Sequence, residues 1–199
     1  MNALTHIFYA ISTLALVPVE IGLLVALVWA CRLLGVEARD AYRRRRFAPK
    51  RVALENALER FEFDAFEREL ADARDPLASI LSGLCAARRD RALLDKRIAD
   101  FENAAKERCD APDRLAKLGP ILGIMGTLIP LGPALLGLAQ GDLETLASNL
   151  VVAFATTVVG LLVALTASTV AAARKRSSRR DFALVNFAVD RMVEGEVAQ

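Results

Sequence analysis

Three long apolar stretches constrain this chain more than any other feature of its sequence. They are Ile7–Cys31, Leu118–Ala139 and Leu146–Ala173, and Glu20 is the only charged residue in any of them. About 20 apolar residues at 1.5 Å each cross the hydrocarbon core of a bilayer, so stretches of this length are typical of transmembrane helices. A chain that is 54% hydrophobic and 25% charged separates the two kinds of residue in this way. The sequence therefore predicts an all-α membrane protein with three transmembrane helices.

The positions of the basic residues predict the orientation of these helices. All 26 Lys and Arg lie either between Arg32 and Lys117 or between Arg174 and Arg191. Basic residues are retained on the cytoplasmic side of a membrane. We therefore expect an outer N-terminus, a cytoplasmic connection and C-terminus, and an outer turn at residues 140–145. A cleaved signal peptide is the alternative for the first stretch, but residues 1–20 lack the basic start that such a peptide has.

The predicted regions are 1–35 (first span), 36–115 (cytoplasmic helical region), 116–173 (transmembrane hairpin) and 174–199 (cytoplasmic C-terminal helix). Apolar residues at helical spacing in the second region predict two amphipathic helices, one ending at Asp75-Pro76 and one reaching Pro112. The tail is expected to continue the third span as a helix. We interpret the basic runs beside the spans as anchors to lipid headgroups and not as a nucleic-acid site.

No residues in the sequence suggest a catalytic or metal site. The three cysteines have no CxxC spacing, and His6 is the only histidine, so one chain cannot assemble a tetrahedral metal site from them. We expect no enzymatic activity and no cofactor.

Small residues recur three or four positions apart in both helices of the predicted hairpin. Such stripes let helix backbones approach closely in lipid. Two prolines interrupt the first of these helices, and their freed carbonyls are tolerated at membrane depth where protein or water satisfies them. The stripes are Gly119, Gly123, Thr127, Pro130, Ala134 and Gly137 in the second span, and Ala153, Thr157, Gly160, Ala164, Ser168 and Ala171 in the third.

Two motifs in these spans resemble those of the MotA/TolQ/ExbB proton-channel proteins. Residues 119–127, GPILGIMGT, resemble the family's A-P-x-L-G-L-L-G-T, and residues 153–161, AFATTVVGL, resemble its A-L-x-A-T-A-x-G-L. Three spans with a large cytoplasmic connection are similar to the TolQ/ExbB branch. Val152 stands where ExbB and TolQ carry a Glu and Thr166 where the family has a proline, which suggests a divergent subgroup.

The resemblance implies a ring of five copies in the cytoplasmic (inner) membrane, around a small single-span partner similar to ExbD or TolR. It implies that the partner's carboxylate carries protons, that the complex uses the proton motive force, and that Thr127 and Thr157 line the pore. The residues agree with this division of roles, because both hairpin spans lack a titratable side chain. A threonine hydroxyl can hydrogen-bond a carboxylate or water, or it can bond back to a carbonyl one turn earlier.

Glu20 is a candidate intramembrane carboxylate. It lies 12 residues before Arg32, which corresponds to about 18 Å of helix. A carboxylate at this depth is a functional candidate because it is expensive to leave unpaired in lipid. The alternative is that Pro18 begins the helix and Glu20 lies near the outer water. In the arrangement that the resemblance implies, the first span would face lipid or a neighbouring subunit.

Two other functions fit several spans. A transporter permease subunit usually has a polar substrate site or inverted repeats, and neither is visible in this sequence. A membrane scaffold would explain the amphipathic helices but not the prolines and threonines of the hairpin.

Overall fold

The computed structural model describes residues 3–60, 63–71, 76–87 and 90–197, and every element in these ranges is an α-helix. The helices are α1 (Ala3–Glu59), α2 (Phe63–Ala71), α3 (Pro76–Ala87), α4 (Arg91–Ala139) and α5 (Leu143–Val197). Of these, α1, α4 and α5 are long and apolar enough to cross a membrane. The predicted all-α fold with three such helices is confirmed.

The three spans extend without a break into polar helix. α1 continues past the first apolar stretch to Glu59, and α5 continues past the third to Val197, as predicted for the tail. α1 already begins at Ala3, so the prediction that Pro18 could start the helix is wrong. The predicted division of the connection into two helices is also wrong. Residues on its first stripe lie on α1 and α2, and its second stripe is shared between α3 and the start of α4.

The chain divides into two compact units, each built from parts of all three long helices. One unit contains Met1–Val36 and Ala111–Ala171, and the other contains Glu37–Asp110 and Ala172–Gln199. We call them the apolar unit and the polar unit. The apolar unit exposes many large hydrophobic side chains, among them Leu14, Val28, Phe154 and Leu165. Side chains of this kind require lipid or another protein surface, as expected for a membrane domain.

Within the apolar unit, small side chains bring α1 against α5. Ala26, Ala30 and Leu33 of α1 form a buried cluster with Leu115 of α4 and with three residues of α5, namely Val163, Ala167 and Val170. Alanines at helical spacing allow close packing, which in lipid depends on dispersion contacts instead of the hydrophobic effect.

The polar unit has a conventional hydrophobic core. All five helices contribute to it, because the apolar stripes of α2 and α3 and one side each of α1, α4 and α5 are buried together. Burial of these side chains is the main stabilising term for a water-exposed domain. The core includes Leu54, Leu58, Phe66, Leu70, Leu77, Leu81, Leu84, Leu94, Leu184, Val185, Ala188 and Met192.

Arg174 joins three helices of the polar unit. Its Nε donates to Glu37 Oε2 of α1 at 3.1 Å, and its Nη1 donates to the Arg108 carbonyl of α4 at 2.7 Å. Glu37 is only 7% exposed, and Arg44 Nη1 lies 3.5 Å from its other oxygen. A second ion pair, Arg51 with Asp181, also connects α1 to α5.

The bond to Arg108 compensates for Pro112 inside α4. A helical proline has no N–H for the carbonyl four residues earlier, and for Pro112 that carbonyl belongs to Arg108. The Arg174 guanidinium supplies a donor to this carbonyl. The prediction of a helix that reaches only Pro112 is wrong, since α4 continues to Ala139.

A tight turn connects the two hairpin helices. Gly141 has a positive φ of 76°, a conformation that glycine adopts at no steric cost. Asp142 then caps α5, since the Thr145 backbone N–H donates to Asp142 Oδ1 at 3.0 Å and the Thr145 hydroxyl donates to Oδ2. The Thr145 side-chain bond is the main cause that lowers the pKa of Asp142 below its usual value.

Candidate ion-pathway site

The hairpin helices α4 and α5 meet at three glycines. A Cβ atom on Gly160 would lie 2.7 Å from the Gly119 carbonyl oxygen and 2.8 Å from the Gly123 Cα. No real side chain tolerates contacts this short, so the two backbones can approach as they do only because these positions lack a side chain. Ala164 lies at the same contact, with its backbone nitrogen 3.0 Å from the Cβ position of Gly119.

The contact continues toward the turn at Gly141 through Gly126 and Thr156. A Cβ on Gly126 would be 2.6 Å from the Thr156 side chain. Thr156 is only 9% exposed, and its hydroxyl donates to the carbonyls of Val152 and Ala153 at 3.0 and 2.9 Å. Thr156 is therefore a packing residue whose polar atom is satisfied within its own helix.

Thr127 and Thr157 lie beside this contact and are half-buried. The Thr127 hydroxyl donates to the Ile124 carbonyl at 2.7 Å, and the Thr157 hydroxyl donates to the Ala153 carbonyl at 3.1 Å. Each hydroxyl has one hydrogen to donate and two lone pairs that accept. This is the alternative in which a threonine bonds back to a carbonyl one turn earlier. In this arrangement each hydroxyl oxygen keeps lone pairs that can accept a hydrogen bond from water or from a protonated acid.

Pro130 and Pro133 interrupt the backbone hydrogen bonds of α4 near these threonines. They lie inside the helix and have no N–H for the carbonyls of Gly126 and Ile129. Pro130 is fully buried and Pro133 is half-buried. The region around Thr127 thus combines a hydroxyl with two carbonyls that have lost their helical donors.

The structure separates the predicted site residues into two groups. Gly123, Pro130, Ala153 and Gly160 are buried, whereas Thr127, Thr157, Ala164 and Glu20 are half-buried. Glu20 lies on α1, beside the buried Val19, and not on the hairpin.

Two residues of the hairpin contact were missed in the sequence, Gly126 and Thr156. The signal was present, because Gly119, Gly123, Gly126 and Pro130 also follow a spacing of three and four residues. This line competes with the one through Thr127, and the sequence does not distinguish them.

Comparison with known proteins identifies the family. The model of the MotA/TolQ/ExbB proton channel family matches residues 64–186, which is more than half of the chain. No curated protein and no solved structure matches significantly. The match includes the whole of the glycine contact, both threonines and the prolines of α4. This chain belongs to the MotA/TolQ/ExbB proton channel family, a family of ion-conducting membrane proteins and not of enzymes.

Proposed function

We propose that this protein is the ring-forming subunit of a proton-driven motor complex in the cytoplasmic membrane. Five copies surround a small single-span partner similar to ExbD or TolR, and the complex uses the proton motive force to do mechanical work through that partner. Family membership supports a general role in ion-driven work at a membrane. The ring, the partner and the roles of Thr127 and Thr157 are what we propose in addition.

The main support for the proposal is that the hairpin has polar side chains in its spans but no titratable ones. Residues 118–139 and 146–173 contain no side chain that could hold a proton at neutral pH. The hairpin nevertheless has Thr127 and Thr157 as acceptors at its half-buried edge. A chain that can accept a hydrogen bond from an acid, but has no acid on these helices, is suited to a partner that carries the acid.

A protonated partner carboxyl would donate its hydrogen to a threonine oxygen. When the carboxyl ionises, that hydrogen is lost and the bond no longer forms, so the two protonation states differ in their attraction to the ring. This difference is what allows protonation to change the position of the partner relative to the ring.

A threonine-to-valine comparison tests the proposal. Thr157→Val keeps the shape of the side chain and removes the acceptor, so we expect proton flux through vesicles containing the complex to be lost while the complex still assembles. Thr157→Ser, which retains a hydroxyl, should retain flux. The matched control is Thr156→Val, since the Thr156 hydroxyl is buried and satisfied within α5. Its flux should stay close to that of the wild type.

The complex for this experiment is purified in mild detergent with the small partner. Native mass spectrometry should show a closed oligomer of this chain, with five copies and the partner bound. A monomer or dimer would contradict the ring, and equal flux for wild type and Thr157→Val would contradict the pore-lining role.

The membrane-scaffold alternative predicts a different outcome. A scaffold assembles and binds partners but conducts nothing, so vesicles with the complete complex would show the proton permeability of empty vesicles. Membership of the proton channel family favours the channel over the scaffold.

A further inference from the structure

We propose that Glu20 is a second proton-binding group of the complex, supplied by this chain itself, at the same membrane depth as Thr157. This inference rests on the proposed proton conduction, and it adds a site on α1 that is separate from the acid of the partner.

The depth of Glu20 follows from the packing of α1 and α5. The early parts of both helices belong to the apolar unit and the late parts of both belong to the polar unit, so the two helices run in the same direction. The ion pairs of Arg174 with Glu37 and of Asp181 with Arg51 follow the same order along both helices.

The register of the two helices is constant from Ala26 to Glu37 of α1. Taken in order, Ala26, Ala30 and Leu33 of the buried cluster are each 137 residues before its three α5 members, Val163, Ala167 and Val170. Glu37 and Arg174 are separated by the same number of residues. When this register is continued by less than two turns toward the N-terminus of α1, Glu20 lies at the level of Thr157.

That level is deep within the membrane. Thr157 is 13 residues after Glu144 and 17 residues before Arg174, or about 20 Å and about 26 Å along the helix. The hydrocarbon core is about 30 Å thick, so Glu20 is distant from water on both sides. The continuous helix from Ala3 through Pro18 is consistent with this depth.

The surroundings of Glu20 offer no counter-charge. Neither apolar stretch of the hairpin has a charged or titratable side chain, and Glu20 is the only charged residue in the stretch of α1. Among the described residues, Glu20 has no ion pair or hydrogen bond. A carboxyl without a partner at this depth is a functional candidate, and binding a proton is the role that we propose for it.

The position of Glu20 on α1 allows exchange of that proton. The side chain is half-buried beside Val19, which is buried, while Ile21 on the next position is exposed. Glu20 therefore lies at the boundary between buried and exposed positions of α1, where the carboxyl can reach a neighbouring copy in the proposed ring. A fully buried carboxyl could not do so without unpacking the helices.

Chemical labelling tests the protonated carboxyl without requiring the partner or proton flux. In vesicles of the full-length chain, a hydrophobic carbodiimide should modify Glu20, because it reacts with protonated carboxyls in apolar surroundings. A water-soluble carbodiimide should modify Glu144 but not Glu20, as read by mass spectrometry of the peptides. Absence of the hydrophobic label, or equal modification of both residues by the water-soluble reagent, would overturn the proposal.

Proton flux tests the exchange. Glu20→Gln imitates the neutral acid permanently, so the complex should assemble while its proton flux falls to that of vesicles without protein. Glu20→Asp, which can still bind and release a proton, should restore flux. Wild-type flux in Glu20→Gln would overturn the inference and leave the proposed function intact. Absence of flux in the wild-type complex itself would contradict the proposed function, while the labelling result would still decide whether Glu20 holds a proton.

Discussion

A single missing side chain decides how closely the hairpin helices approach. Gly160 faces Gly119 and Gly123 so tightly that an added methyl group would lie within 2.8 Å of backbone atoms on the opposite helix. Backbone atoms cannot move aside as the end of a flexible side chain can. The helices would have to separate, and the position of Thr157, one turn earlier on α5, would change with them.

Gly160→Ala should therefore destabilise the hairpin, by about 1–3 kcal/mol as is typical of overpacking. Thermal unfolding in detergent, followed by the helical circular dichroism signal, measures the effect. Gly22→Ala is the matched control, because a Cβ at Gly22 on α1 would have no atom within 4 Å. Its stability should be unchanged or slightly higher, since alanine favours a helix over glycine. A similar loss in both variants would contradict the close-contact explanation.

At the scale of elements, a contact made by α5 replaces a backbone hydrogen bond that α4 lacks at Pro112. Pro112 removes the donor for the Arg108 carbonyl, and Arg174 replaces it at 2.7 Å while pairing with Glu37. The guanidinium is suited to this double role because its donors are held in a fixed plane. A lysine has a single charged nitrogen and cannot reproduce both bonds in this geometry.

A double-mutant cycle tests this replacement. Arg174→Met should destabilise the protein with Pro112 present, because it leaves the Arg108 carbonyl without a donor. With Pro112→Ala, residue 112 regains an N–H for that carbonyl, so Arg174→Met should cost less, by about 1 kcal/mol for one hydrogen bond. The loss of the Glu37 pair is common to both backgrounds and cancels in the difference. Equal costs in both backgrounds would show that the Arg108 bond contributes nothing.

At the scale of the whole molecule, the two units have opposite surface chemistry. The apolar unit exposes large hydrophobic side chains, whereas the polar unit buries its own and carries most of the charges. The positive-inside rule then predicts that the polar unit is cytoplasmic and the hairpin turn is outside.

Cysteine labelling in intact cells measures this orientation. The three native cysteines are first replaced by serine, and single cysteines are then introduced by Glu144→Cys or Ser82→Cys, at positions that are both exposed. Glu144 is preferable to Asp142, which caps α5. A membrane-impermeant maleimide should label the first variant in intact cells and the second only after permeabilisation. Labelling of the Ser82→Cys variant in intact cells would reverse the predicted topology.

Several features could be predicted from the sequence because they depend on local composition alone. Three uncharged or nearly uncharged stretches longer than 18 residues specify three spans, since the thickness of the bilayer sets the required length. The hairpin motifs around Gly119 and Ala153 indicated the family, which the match to residues 64–186 confirms. The helical tail after Arg174 was also correct, because nothing in the sequence breaks the helix there.

Other features were decided by tertiary structure because they depend on residues far apart in the chain. Lines of small residues through Gly126 and through Thr127 are equally regular in α4, and only the packing against Thr156 selects the first. Pro112 by itself predicts the end of a helix. Arg174, which is 62 residues later, donates to the carbonyl that this proline leaves without a donor. The depth of Glu20 depends on the register between α1 and α5. In each case the local pattern allows two outcomes, and a contact between helices that are distant in the sequence distinguishes them.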